Sequence, residues 1–181
     1  MIVQQITQEL DAHFMNRLAT ARGDLDTRSD VVMVLPRPGR TVLVLTKSFY
    51  PSDTYNLPSG GIHPGETPEE AFLREVAEET GLPVSVQSRI GRIKRHCFFG
   101  DTALDFTSHF ILGTESTEVP HPSDDTECIS GYLDANADSL RQFARNMRHM
   151  TGHWLGFGRF RATPLDFVAD YLVRIIHEES E

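Results

Sequence analysis

The chain has 181 residues, of which 39% are apolar, 24% charged and 9% aromatic. That composition supports one globular domain with its own core and needs neither disulfides nor structural metal. Its 17 basic and 26 acidic residues give a net charge of −9, which argues against non-specific nucleic-acid binding and against docking on an anionic membrane. No apolar run approaches the roughly 20 residues that span a bilayer, and residues 1–10 lack the apolar stretch of a signal peptide. Cys97 and Cys128 stand far apart outside any CxxC pattern, so free thiols in a reducing, cytoplasmic setting are expected.

In chain order, Ile6, Leu10, Phe14 and Leu18 recur with a helical period, which predicts an N-terminal helix over about residues 5–21. Arg22 to Asp30 reads as a polar connection. The β-branched runs Val31 to Leu35 and Thr41 to Thr46 flank Pro36 to Arg40 and predict a hairpin with a five-residue loop. Residues 48–65, rich in Pro, Ser and Gly, form a loop. Thr67 and Glu70 make a capping box, Pro68 suits the first helical position and Gly81 supplies a left-handed stop, so a helix spans Pro68 to Thr80. On it Leu73, Val76, Ala77 and Thr80 are expected to pack on a sheet, with Glu75, Glu78 and Glu79 on the opposite face. Strands over Pro83 to Phe99 and Ala103 to Leu112 meet at Gly100 and Asp101. An acidic loop (Glu115 to Asp125), a short strand (Cys128 to Leu133) and a helix (Ser139 to Met147) follow, and a C-terminal helix covers about residues 164–178. Strands, hairpins and helices together place the chain in the α+β (mixed α/β) class, as a single domain over 1–181.

Charge is sorted along the chain. Residues 66–79 carry six glutamates and one arginine, a net of −5; residues 83–100 carry Arg89, Arg92, Lys94 and Arg95 and no acid; residues 115–138 carry seven acids and no base. Sorted charge can mark solvated faces. Three carboxylates at i, i+3 and i+4 repel by about 3 kcal/mol per pair at ~6 Å and an effective dielectric near 20. An exposed helix face tolerates that. A cleft does not, unless a cation sits among them, and oxygen-only ligands suit Mg2+ or Mn2+ rather than zinc.

From Gly60 to Leu82 the sequence runs Gly60, five residues, Glu66, seven residues, then Arg74-Glu75-Val76-Ala77-Glu78-Glu79-Thr80-Gly81-Leu82. This matches every fixed position of the 23-residue Nudix box, so the chain resembles the Nudix hydrolase superfamily. The resemblance implies a Nudix fold, a mixed β-sheet sandwiched between α-helices. It also implies Mg2+- or Mn2+-dependent hydrolysis of a nucleoside diphosphate linked to another moiety. It assigns Glu75, Glu78 and Glu79 to metal binding, Glu66 and Arg74 to bracing the box loop, and a backbone carbonyl at Ser59, where glycine is common, to the metal. Metal lowers the pKa of a bound water, and a general base takes its proton. Glu78 or Glu79 is the first candidate, with Glu127 from a later loop as another; Glu127 also reads as a plain surface acid.

Around the box, Arg92, Lys94 and His96 alternate along a strand and are candidate phosphate contacts, or an exposed strand face. Phe98 is a candidate for stacking on a base, with a core role as its alternative. His63 lies in the box loop. The glycine-spaced stretch from Gly152 to Phe160 reads as a lid, a dimer contact or a packed connector. The expected partner is a small phosphorylated molecule, with no nucleic acid and no membrane. A homodimer through the N-terminal helix or the Trp154 segment stays open. Two other readings stand beside the hydrolase: a prenyl-diphosphate isomerase, suggested by Cys97, and a non-catalytic nucleotide-binding module of the same superfamily.

Overall fold

A computed structural model describes residues 1–20 and 28–178. Residues 22–27 of the polar connection lie outside the described residues. The chain begins with a strand, β1 (Ile2–Glu9), followed by helix α1 (Ala12–Thr20). The N-terminal helix expected over about 5–21 is therefore half strand. Ile6 and Leu10 satisfy a helical period, but Ile2, Gln4, Ile6 and Gln8 also share one side at a period of two, and that side is the half-buried one. Parallel pairing with a later strand decides the matter, and Asp11 then caps α1 by accepting from the Phe14 N–H at 2.9 Å.

Strands β2 (Ser29–Val34), β3 (Pro36–Arg37) and β4 (Thr41–Lys47) follow, then the three-residue β5 (Ser59–Gly61). Helix α2 (Pro68–Thr80) carries the capping box at Thr67 and a left-handed Gly81 with φ 61°. The long strands β6 (Val86–Phe99) and β7 (Thr102–Gly113) form a hairpin, β8 (Ile129–Ala135) follows the acidic loop, and helices α3 (Ala137–Arg148) and α4 (Leu155–Glu178) complete the chain. The five-stranded sheet has the order β1-β6-β7-β2-β5 and the three-stranded sheet β3-β4-β8.

The runs Val31 to Leu35 and Thr41 to Thr46 do not form one hairpin. β2 pairs with β7 and β5 in the large sheet, whereas β4 pairs with the short β3 and with β8 in the small one. Both strands are buried on both faces, Val31 to Val34 at 0% exposure and Val42 to Leu45 at 2% or less, so each needs a layer on either side and the two cannot lie side by side at an edge. Val32 and Val34 face a core shared with α1, α3 and α4, while Val31, Met33 and Leu35 face a second core with Phe72 and Val76 of α2. The result is a mixed β-structure held between helices.

Helix α4 starts nine residues before the expected position, with Pro164 inside it. An internal proline costs about 3 kcal/mol; burial of Phe157, Phe160 and Leu165 offsets it. The glycine-spaced stretch seats the first turn of α4. A Cβ at Gly158 would lie 2.1 Å from the Met147 carbonyl oxygen, and one at Gly156 would lie 2.4 Å from Asp11 Oδ2. Close approach to α3 and α1 is what these glycines allow. Among the described residues, no helix is long and apolar enough to cross a membrane.

Candidate active site

The inward side of α2 carries Ala71, Phe72, Glu75, Val76, Glu79 and Thr80, and its outward side carries Leu73 and Ala77. Leu73 is 47% exposed, while Glu75 and Glu79 are 7% and 2% exposed. The expected face was turned by roughly a quarter of the circumference. Phe72 and Val76, at i and i+4, set the true inward side, and Glu75 and Glu79 fall on it with them. The glutamates therefore do not project into open solvent opposite the core; they line its edge.

Each buried carboxylate is held. Arg74 donates to both oxygens of Glu66, at 2.9 and 2.8 Å, to Glu75 at 2.6 Å, and to the Gly61 carbonyl at 2.8 Å; Glu78 lies 3.5 Å away. Lys47 lies 3.2 Å from Glu79 and 2.6 Å from Glu127, so one ammonium joins α2 to the loop ahead of β8. The Ser59 N–H donates to Glu79 Oε2 at 3.0 Å, and the Tyr132 hydroxyl donates to the Glu79 carbonyl. Glu75 folds over the box turn: a Cβ at Gly60 would lie 1.7 Å from the Glu75 carboxyl carbon. A larger residue at position 60 would have to push the Glu75 carboxylate aside.

The electrostatics follow. Burial pushes the Glu79 carboxyl up to about 7, against the pull of Lys47 and with further push from Glu75 and Glu127. Burial likewise raises Glu75, against Arg74. The two hydrogen bonds from Arg74 hold Glu66 down to about 2. Burial would lower the Lys47 pKa, but Glu79 and Glu127 together outweigh it and keep it above its ordinary value. Among the described residues, no three acidic, histidine or cysteine side chains are already arranged as a metal cage; Arg74 and Lys47 stand between the carboxylates. The donor set is nonetheless oxygen-only, buried at Glu75 and Glu79 and over-supplied with negative charge, which fits a hard divalent cation.

Beside the cluster opens a cleft of about 440 Å3 lined by Glu79, Lys47, Ser59, Gly60 and His63 at one end and by Phe14, Tyr50, Phe106, Phe157 and Phe160 at the other. The sequence reading missed Lys47, Tyr50, Asp30 and Arg161, which also line it. Lys47 directly follows a predicted strand and belongs to no motif, and Arg161 lies 79 residues beyond the box, so no spacing points to either.

The other expected contacts lie elsewhere. On β6 the residues packed inward are Ile93, Arg95 and Cys97, and Arg92, Lys94 and His96 face the other side of the sheet. None of Arg92, Lys94, His96 and Phe98 lines the cleft. The parity follows from antiparallel pairing with β7, including a shift in register between Arg89 and Gly91 that the sequence did not reveal. Arg95 is the basic residue the core takes in: its guanidinium donates to Ser108 Oγ at 2.7 Å and lies 4.3 Å from the Phe160 ring centre, and burial lowers its pKa to about 10. Cys97 is 0% exposed, and burial raises its thiol to about 11.

A model of the NUDIX domain matches residues 26–151. The chain is 37% identical over 73 residues to an oxidized purine nucleoside triphosphate hydrolase of Danio rerio, a stretch covering 40% of this chain and 46% of that protein. It is 32% identical over 71 residues to an RNA pyrophosphohydrolase of Zymomonas mobilis, covering 39% and 46%. The chain spans about half the length of the curated relatives it matches. The crystal structure of the MutT protein from Methanosarcina mazei Go1 superposes with a TM-score of 0.51 at 19% identity, covering 87% of this chain and 100% of that one; it shares the fold. Helices α1 and α4, which wall the far end of the cleft, lie outside the matched residues.

Proposed function

The chain belongs to the NUDIX family, and from that premise we propose that it is a Mg2+- or Mn2+-dependent hydrolase of a nucleoside diphosphate joined to another group. The observation that carries this reading is the burial of Glu75 and Glu79, near Glu78 and Glu127, with Glu79 lining an aromatic-walled cleft. Carboxylates kept at 2–7% exposure are costly to the fold unless a cation offsets them. The carboxylates of Glu75, Glu78 and Glu79 and the Ser59 carbonyl would hold it. When bound, a divalent cation neutralises phosphate oxygens and lowers the pKa of a coordinated water.

The remaining roles belong to the chain itself. Glu66 and Arg74 hold the box loop against α2. Water attacks phosphorus, the anhydride P–O bond breaks towards the leaving phosphate, and the proton of the water passes to a carboxylate. Glu78 and Glu127 are the cluster members that keep solvent access, with side chains 38% and 28% exposed, and are the candidates for that base. Glu79, pinned by Lys47 and the Ser59 N–H, serves as a ligand. Tyr50, Phe14, Phe157 and Phe160 give flat apolar walls for a planar organic group. Two relatives bear names that point to nucleotide or RNA substrates, in keeping with a small phosphorylated partner. Arg92, Lys94 and Phe98 lie off this cleft and are not among its walls. The isomerase alternative rested on Cys97, which is sealed in the core.

A panel of nucleoside di- and triphosphates, nucleotide sugars, dinucleotides and 5′-triphosphorylated RNA, assayed with Mg2+ and Mn2+, tests the proposal. Turnover of at least one, lost in Glu78→Gln and Glu79→Gln while the fold persists, supports it. Binding without turnover under both metals points to the non-catalytic module instead.

A further inference from the structure

Strand β5 has three residues, Ser59 to Gly61, and pairs along only one edge, with β2. Yet it positions much of the cluster. The Ser59 N–H reaches Glu79, Gly60 lies beneath the Glu75 carboxyl, and the Gly61 carbonyl accepts from Arg74. A short strand with two glycines is a weak platform for such a task. What braces it comes from α4. Arg161 donates through one terminal nitrogen to the Ser59 hydroxyl at 2.8 Å and to Asp30 Oδ2 at 3.3 Å. Asp30, 5% exposed, lies on β2 opposite Gly61. One guanidinium therefore ties the two strands together at the site.

Resting on the hydrolase reading above, we propose that Arg161 is a positioning residue that sets the metal affinity of the glutamate cluster through the Ser59 hydroxyl. Ser59, immediately before the box glycine Gly60, is where this chain departs from the glycine common at that place. Its hydroxyl is the group that accepts from Arg161, while its N–H holds Glu79. Arg161 lies beyond the matched domain, in the second turn of α4, whose start is seated by Gly156 and Gly158 against α1 and α3. The C-terminal helix thus reaches Glu79 through Arg161 and Ser59. Loss of the hydroxyl and loss of the guanidinium break the same link, so their effects do not add.

The experiment is a Mn2+ titration, read by electron paramagnetic resonance, of the wild-type chain, Ser59→Ala, Arg161→Met, the double variant and Arg161→Lys, with thermal unfolding of each metal-free protein. Each single change is expected to weaken Mn2+ binding by about 10-fold. The double variant binds no more weakly than Arg161→Met alone and Arg161→Lys recovers most of the affinity; Ser59→Ala keeps the wild-type unfolding midpoint, whereas Arg161→Met, which leaves buried Asp30 without its guanidinium, unfolds earlier. With a substrate from the panel, kcat falls at limiting Mn2+ and recovers at saturating Mn2+ with KM unchanged. Wild-type binding in all variants, or losses that multiply in the double variant, overturns the inference and leaves the hydrolase reading intact. So does a raised KM in Arg161→Met with unchanged Mn2+ affinity, since Arg161 would then be a direct substrate contact. A wild-type chain that takes up no Mn2+ overturns the hydrolase reading, and this inference with it. Were Arg161→Met to fail to fold, Ser59→Ala and Arg161→Lys carry the same test.

Discussion

Residues 66–79 hold six glutamates and residues 115–138 hold seven acids. In the first segment, Glu75 and Glu79 lie inside the protein, Glu66 and Glu75 are hydrogen-bonded to Arg74, and Lys47 stands against Glu79. In the second, Glu115, Glu118, Asp125, Asp134 and Asp138 are exposed. Asp124 caps a short turn by accepting from the Thr126 N–H at 2.8 Å, and Asp134 pairs with Arg37 at 3.1 Å. Glu127 is the one member of the second segment that joins the first, through Lys47. The same density of charge is costly in one place and almost free in the other, and burial makes the difference. Where the fold keeps repelling carboxylates out of water, it holds them with Arg74 and Lys47.

That contrast can be broken in order of expected effect. Glu79→Gln is expected to cut kcat by 100-fold or more, on the order seen when an electrostatic catalytic group is lost, with the metal-free protein no less stable because a burdened buried charge has been removed; steady-state rates and thermal unfolding read the two. With Glu127 as the base, Glu127→Gln lowers kcat by about 100-fold while Mn2+ affinity is kept; a rate within about two-fold of wild type returns the role to Glu78. Gly60→Ala places a Cβ onto the Glu75 carboxyl and pushes that carboxylate off its position; kcat is expected to fall about 10-fold or more with stability within about 1 kcal/mol, read by steady-state rates and urea unfolding. Glu66→Gln should destabilise by about 1 kcal/mol at pH 7, after allowance for solvent screening. Because the Glu66 pKa is lowered to about 2 in the folded chain, its contribution is complete above the ordinary value of 4.5 and disappears as pH falls through about 2. The deficit of the variant should therefore shrink across that window. Glu118→Gln, on the exposed segment, is expected to leave kcat within about two-fold and stability within about 0.5 kcal/mol; a larger effect would blur the distinction between the two segments.

The basic stretch shows why charge alone does not mark a site. Arg89 pairs with Glu69, His96 with Asp105 at 2.8 Å, and Arg95 is sealed against Ser108 and Phe160. Arg89 and Arg95 are engaged locally, and Arg92 and Lys94 face away from the cleft on a strand whose parity depends on a bulge.

The amino-acid sequence by itself determined the Nudix box, the ends of α2 through Thr67, Pro68 and Gly81, the hairpin turn at Gly100, and the mixed α/β class. Caps, turns and fixed spacings are local, and local chemistry decides them. The tertiary structure alone decided which side of α2 faces in, that β2 and β4 enter different sheets, that β1 replaces half of the predicted first helix, and that Lys47 and Arg161 join the glutamates. Each of those depends on a partner distant in sequence: Phe72 finding the β2 face, Ile2 finding β6, Arg161 finding Ser59 across 102 positions. A single chain of letters records the groups that must meet there, but only packing brings them together.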